Sequence, residues 1–335
     1  MGNNLLVYVL CVASFAAHAQ TSGSSSYTFL DVPGNARLAA LGGVNVSLAD
    51  RDVNFFFSNP ALVGDSLAGW GSAGYRFFAG DMGQTSIAYS ANFDRIGALQ
   101  FGVQHMDYGT FEGYDPSGME LGEFSARETA LVVSRSHAIS HYRLGVTMKG
   151  VFSSFAGFRS SALLFDIGGV FIHPDKDLSV GIVIRNAGFV LSEYSESSMT
   201  SPPFDVQMGV TFKPEHMPIR FSVTVHDLAD VDDGYYDPLD EDVSALNKVL
   251  RHVNFGAEVL LHRNVSLLAG YNVRLHRELR MEEYGGGAGV TLGFSARVKT
   301  FEFTFGRSGY IAGVASYNLT LAADINGMLK RRTIL

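Results

Sequence analysis

Arg143-Leu144-Gly145-Val146-Thr147-Met148-Lys149-Gly150 alternates strictly: Leu144, Val146 and Met148 are apolar, while Arg143, Gly145, Thr147 and Lys149 are charged, polar or small. Side chains point to opposite faces of a strand with a period of two, so this stretch has one oily face and one polar face. The pattern recurs in Ile87, Tyr89, Ala91 and Phe93, in Leu99, Phe101 and Val103, and in Phe221-Ser222-Val223-Thr224-Val225. It returns in Phe301-Glu302-Phe303-Thr304-Phe305 and Tyr317-Asn318-Leu319-Thr320-Leu321.

Fourteen such segments are predicted, at 69–79, 84–93, 95–108, 123–135, 141–154, 160–173, 178–186, 204–213, 218–228, 252–262, 264–274, 286–298, 299–307 and 313–323. Most reach the roughly 9–11 residues that a tilted strand needs to cross a bilayer, whereas strands of soluble sandwiches average about 5–6. Every second connection is brief, as at Asp94-Arg95, Arg263 and Val298-Lys299. The alternate connections include the longer 109–122, 187–203, 228–251 and 275–285. Outer-membrane barrels have this asymmetry, with short periplasmic turns and longer extracellular loops. The expected fold is therefore all-β: a closed antiparallel transmembrane barrel of fourteen strands with both ends periplasmic. Closure follows because an open sheet edge would leave unpaired backbone groups facing hydrocarbon.

Composition agrees. Of 335 residues, 17% are charged, against roughly 25% in ordinary soluble domains. Glycine (37) and phenylalanine (25) are abundant, and the net charge is -8. No apolar run approaches the roughly 18 residues of a membrane helix. An acidic chain without basic runs is a poor ligand for nucleic acid.

Leu5 to Ala17 is apolar but short, and Ala17-His18-Ala19 fits a signal-peptide cleavage site. Cys11 lacks the small neighbours of a lipobox. The chain divides into an export signal (1–19), an N-terminal segment (20–66), the barrel (67–324) and a periplasmic tail (325–335). In the second part, Asn35 to Leu41 suits a short helix stopped at Gly42-Gly43, and Asn59-Pro60 suits a turn. About forty residues are too few for an independent core. The expectation is a plug or hatch inside or beneath the barrel; the alternative is a flexible periplasmic arm.

Gly102, Gly145, Gly168, Gly209, Gly256 and Gly270 fall on the lumen-facing parity, where a missing side chain relieves crowding or lets an inserted segment approach. Arg143, Lys149, Arg220, Glu258 and Glu302 also face inward. Mixed signs suit an ion-pair network that holds a plug; a water-filled channel with solvated charges is the alternative.

The string Phe29-Leu30-Asp31-Val32-Pro33-Gly34-Asn35-Ala36-Arg37-Leu38-Ala39-Ala40-Leu41-Gly42-Gly43, followed by Val46-Ser47-Leu48-Ala49-Asp50 and Asn59-Pro60-Ala61-Leu62, resembles the N-terminal signature of the PorV/PorQ family. These are outer-membrane proteins of the type IX secretion system in Bacteroidetes, related to FadL-type fourteen-stranded transporters. Leu121-Gly122-Glu123-Phe124-Ser125-Ala126 and the chain length look more like PorQ than PorV members. The resemblance implies a non-enzymatic component of a cell-surface attachment complex. Its implied partners are a PorZ-like surface protein, a PorU-like sortase and a PorV-like barrel, in contact with lipid and lipopolysaccharide. Pro33, Arg37, Gly42, Gly43, Asn59 and Pro60 carry the signature. A FadL-like transporter of hydrophobic compounds and a PorV-like cargo shuttle are the alternatives.

No Ser/His/acid set, phosphate loop or metal-ligand spacing emerges, so no catalytic residue, cofactor or metal is expected. His137 and His141 bracket a turn rather than share a helix face. The segment with Asp230, Asp232, Asp233, Tyr235, Tyr236, Asp237 and Asp240 is the densest acidic stretch. It reads as a solvated loop or, functionally, as a partner-docking loop, with a short helix expected over 243–251.

Overall fold

The computed structural model describes residues 26–229, 245–279, 287–310 and 314–332. The expected cleavage site and the acidic residues Asp230, Asp232, Asp233, Tyr235, Tyr236, Asp237 and Asp240 lie outside them.

Fourteen strands close into one barrel in which each pairs antiparallel with its sequence neighbours. They are β1 (Trp70–Phe77), β2 (Gly83–Phe93), β3 (Gly97–Tyr114), β4 (Glu120–Ile139), β5 (Tyr142–Phe155), β6 (Phe158–Ile172) and β7 (Leu178–Ser192). The second half is β8 (Asp205–Phe212), β9 (Ile219–Val225), β10 (Val253–His262), β11 (Val265–Asn272), β12 (Val290–Val298), β13 (Phe301–Gly309) and β14 (Ala315–Asp324). The seam joins β1 to β14 from Trp70↔Asp324 to Phe77↔Tyr317. Short helices are α1 (Ala36–Ala40), α2 (Ala245–Arg251), α3 (Val273–Glu278) and α4 (Ile325–Arg332). The tail expected at 325–335 thus opens with α4, and the helix expected over 243–251 is α2.

The wall is inverted relative to a soluble sheet. Ile87, Leu144, Val146, Met148, Ile167, Leu292 and Leu321 point outward and are exposed, while Gln84, Gln100, Thr147, Lys149 and Asp166 are buried on the inside. Phe93, Tyr142, Phe212, Phe221 and Phe301 ring the short-turn end of the outer face, and Tyr75, Phe77 and Tyr317 stand near the other. Aromatic girdles of this kind sit at the two membrane interfaces of such barrels.

Two expectations are corrected. The stretch 109–122 is mostly strand: β3 and β4 stay paired out to Tyr114↔Glu120, across register shifts at Asp107/Thr110 and Gly113/Tyr114. Those residues lack apolar alternation because beyond the bilayer neither face meets hydrocarbon. Likewise, β7 runs on to Ser192 against β6 rather than ending near residue 186.

The core lies in the lumen. Residues 26–69 occupy it, with Phe29, Leu41, Phe55, Phe56 and Leu62 among the fully buried side chains. Burying each is worth roughly 1.5–3 kcal/mol, which accounts for this segment folding inside rather than hanging as an arm. The segment also has a direction. Ser26 N–H donates to the Ser201 carbonyl at 2.8 Å, and the Tyr27 hydroxyl contacts that of Ser160, both at the long-loop end. Trp70 then starts β1 at the short-turn end, opposite Asp324. The chain therefore threads the lumen from one end to the other, so its first described residue is not on the short-turn side where both ends were expected.

Candidate functional site

The plug is built by local capping and then fixed by the wall. Asn35 caps α1 by accepting from Leu38 N–H at 2.8 Å, and Gly43 N–H donates back to the Leu38 carbonyl at 2.9 Å. Gly42 and Gly43 have φ of +91° and +93°, which the chain needs in order to leave the helix and turn along the wall. Asn59 Nδ2 donates to the Val46 carbonyl at 2.8 Å while its Oδ1 accepts from Ala61 N–H at 2.9 Å, so Asn59-Pro60 locks two parts of the plug together. Pro33 packs near Gly43, beside a cavity of about 20 Å³, room for a water or two.

At the centre, Arg37 Nε meets Glu258 Oε1 at 2.8 Å and its Nη2 meets Asp50 Oδ2 at 2.6 Å. Arg220 Nη1 reaches both the same Asp50 oxygen and Glu258 Oε2 at 2.8 Å. Two guanidinium groups and two carboxylates thus form a closed ring, two members from the plug and two from β9 and β10. Burial alone would raise the Asp50 carboxyl, but Arg37 and Arg220 outweigh it and hold it well below the usual carboxylate range. Nearby Asp52 lacks such a partner, and burial pushes it up to about 6.

Around this ring the wall reads the plug backbone. Asn254 Nδ2 donates to the Leu41 and Val44 carbonyls at 2.9 and 2.7 Å, and Asn272 Nδ2 to Gly42 at 3.2 Å. Thr291 Oγ1 donates to the Ala40 carbonyl at 2.7 Å, Ser179 Oγ to Ser47 at 2.6 Å, and Arg185 Nη2 to Leu30 at 2.8 Å. Arg143 Nη1 donates to the Leu62 carbonyl at 2.9 Å. These bonds matter because a buried loop backbone must find partners for its polar groups.

Five of the six expected inward glycines fall in cross-strand glycine pairs, Gly145↔Gly168, Gly256↔Gly270 and Gly209 with the unforeseen Gly181; Gly102 instead faces Ala88 and Val132, and Gly293↔Gly306 is a further, unforeseen pair. Each pair lies under plug backbone or α1. A Cβ on Gly145 would lie 2.5 Å from the Pro60 carbonyl carbon, one on Gly270 2.2 Å from Gly42 N, and one on Gly306 2.6 Å from the Ala36 carbonyl oxygen.

Of the five inward charges expected to hold the plug, Arg143, Arg220 and Glu258 touch it. Lys149 instead pairs with Asp166 at 2.7 Å, and Glu302 with Arg297, both within the wall. His137 and His141 are exposed and separate at the short-turn end. Sequence reasoning missed Asn254, Asn272, Thr291 and Arg185, although their inward parity was available.

A second region was missed altogether. At the long-loop end a cup of about 770 Å³ opens above the plug. Tyr27 forms its floor, Tyr108, Tyr194 and Glu128 its wall, and Phe111, Phe155 and Phe158 its rim. Tyr108 donates to Glu128 Oε2 at 2.5 Å and Tyr194 to Ser153 Oγ at 2.6 Å.

The chain is similar in fold to the Pseudomonas putida toluene transporter TodX, with TM-score 0.52 and 12% identity over 88% of this chain and 98% of that one. A TodX monoaromatic hydrocarbon channel carrying the ΔS2 mutation gives 0.51 and 14% over the same shares. A Pseudomonas aeruginosa FadL homologue is more distant, at 0.46 and 9% over 87% and 98%. At these identities the likeness is one of fold, a fourteen-stranded outer-membrane barrel. No protein-family model and no curated protein matches the sequence.

Proposed function

We propose that this chain is a non-enzymatic barrel of the outer membrane that anchors a partner at the cell surface, with the long-loop end facing outward. The observation that carries this reading is the locked plug. The ring of Arg37, Asp50, Arg220 and Glu258, the backbone bonds from the wall and the glycine pairs all hold the lumen filled. A barrel arranged so is suited to fixing a surface complex to the bilayer rather than to conducting solute. The resemblance of residues 29–62 to the PorV/PorQ signature gives the partner class: a PorZ-like surface protein within a type IX attachment complex that also holds a PorU-like sortase and a PorV-like barrel.

Affinity purification of the tagged chain from detergent-solubilised outer membranes tests this. Recovery of a large soluble surface protein is the expected result. Recovery of bound hydrophobic compound with no protein partner would contradict it.

The aromatic cup favours a second reading, uptake of hydrophobic compounds. Such a route also calls for an opening through the wall. β7 and β8 part above Arg185↔Asp205, but Asn186 Nδ2 bridges that notch by donating to the Pro203 carbonyl at 2.8 Å. The anchor reading therefore accounts for more of the lumen.

A further inference from the structure

The cup at the long-loop end has a chemistry that the plug does not use. Among the described residues that line it, Glu128 is the one charged side chain, and it is only 8% exposed. Three of the buried carboxylates elsewhere in the lumen face cations: Glu258 meets Arg37 and Arg220, Asp166 meets Lys149, and Glu302 meets Arg297, whereas Asp205 is held by the Gln207 amide. Among the described residues, no Lys, Arg or His nitrogen lies within 4.0 Å of Glu128. Its polar contacts there are two neutral hydroxyls, those of Tyr108 and of its register partner Ser153. A carboxylate sunk among rings without a counter-ion carries a desolvation penalty, which an incoming cation relieves.

The surroundings select the cation further. Phe111, Phe155 and Phe158 leave 40%, 52% and 56% of their surface exposed at the rim. Phe111 stacks with Phe124 at 5.5 Å, and Phe124 meets Phe155 edge-on at 6.0 Å. Ring faces attract a cation, and a planar guanidinium both stacks on them and binds a carboxylate through two parallel hydrogen bonds. An anion would meet the charge of Glu128, and an apolar chain would leave it unpaired.

We infer that the cup receives an arginine or lysine side chain of a protein docked on the long-loop end, with Glu128 as the cation's partner and the Tyr and Phe rings as its walls. This deepens the anchor reading and rests on it.

The test uses the full chain in lipid nanodiscs and saturation-transfer NMR with two short peptides, acetyl-Leu-Arg-Leu-amide and acetyl-Leu-Gln-Leu-amide. Wild-type protein binds the arginine peptide on the order of tenfold more tightly than the glutamine peptide, the range expected for one charge-assisted contact. Glu128→Gln removes that preference. Because Glu128→Gln could perturb assembly, Ser153→Lys serves as a second variant. Ser153 is the register partner of Glu128, so a lysine there supplies the cation internally and also removes the preference. Heat-dependent gel migration confirms that each variant is a folded barrel. Equal binding of both peptides by wild type, or an undiminished preference in Glu128→Gln, would overturn the assignment. A chain that still retains its surface partner in co-purification but shows no peptide preference would overturn the cup assignment alone and leave the anchor reading standing.

Discussion

Gly181 of β7 gives the carbonyl of Val46 the space that a side chain would take: a Cβ there would lie 2.0 Å from the Val46 oxygen and 2.8 Å from its carbonyl carbon. Its cross-strand partner Gly209 is less confined, a Cβ there meeting first the side-chain hydroxyls of Thr224 and Ser47 at 3.0 and 3.1 Å. The Gly181 contact is with backbone, which cannot swing aside as a flexible side chain would. Gly169 is the natural control. It lies on the opposite parity, and a Cβ there would meet the Leu144 and Ile182 side chains at ordinary distances of 3.4 and 3.8 Å.

Gly181→Val is therefore expected to push the plug off the wall and to destabilise the folded barrel by about 1–3 kcal/mol, the usual cost of overpacking. Gly169→Ala is expected to be close to neutral. Urea unfolding of both variants in the same lipid distinguishes them.

Glu258 holds one edge of the charge ring. Glu258→Gln leaves Arg37 and Arg220 buried with only Asp50 to share, and removing one partner of a buried pair typically costs about 3–5 kcal/mol. Limited proteolysis within residues 27–66 is expected to become fast in this variant and to stay slow in wild type. Equal protease resistance would show that the ring does not hold the plug.

Asp52 sets a pH dependence with a definite sign. Burial raises its carboxyl to about 6, so the folded state favours the protonated form. Its contribution to stability is full below about 3.9, the unfolded value, and is lost as pH rises through about 6. Asp52→Asn keeps an acceptor for Asn54 N–H, which Oδ1 now contacts at 2.9 Å. The variant should match wild type near pH 4 and exceed it in stability above pH 7. Asp50 works in the opposite sense. Its carboxyl is held low, so its contribution is present above about 3.9 and is lost as pH falls further. Unfolding midpoints of Asp52→Asn against wild type between about pH 4 and 8 check the first sign, and those of Asp50→Asn against wild type between about pH 2 and 5 check the second.

Deleting residues 230–242 tests the acidic segment. In sequence it lies between β9, which ends at Val225, and α2, which begins at Ala245. Folding of the deletion variant is expected to be intact and its partner recovery reduced; undiminished recovery would remove the segment from the docking surface.

The barrel was legible because a strand's period of two is imposed by backbone geometry, and hydrocarbon outside a polar lumen amplifies it. Ile87, 50% exposed, and Ala88, 1% exposed, show that contrast between adjacent residues. The helix over Ala36–Ala40 was legible for a local reason, Asn35 before it and Gly42-Gly43 after. Direction was not: nothing in residues 26–66 says that Tyr27 lies at the far end from Trp70, because that is fixed by contacts such as Tyr27 with Ser160, 133 positions apart. The cup was hidden for the same reason. Tyr27, Tyr108, Glu128 and Tyr194 meet only once the barrel closes. The paired strand through 109–122 was concealed by the loss of apolar alternation where the wall leaves the bilayer.

Single-channel recording in planar lipid bilayers tests the central claim most directly, with the wild-type chain compared against a variant lacking residues 27–66 and against Gly181→Val. A locked plug predicts no steady conductance from wild type, with ion-conducting events appearing once the plug is removed or displaced. A wild-type barrel that conducts steadily, at the level of the deletion variant, would contradict it.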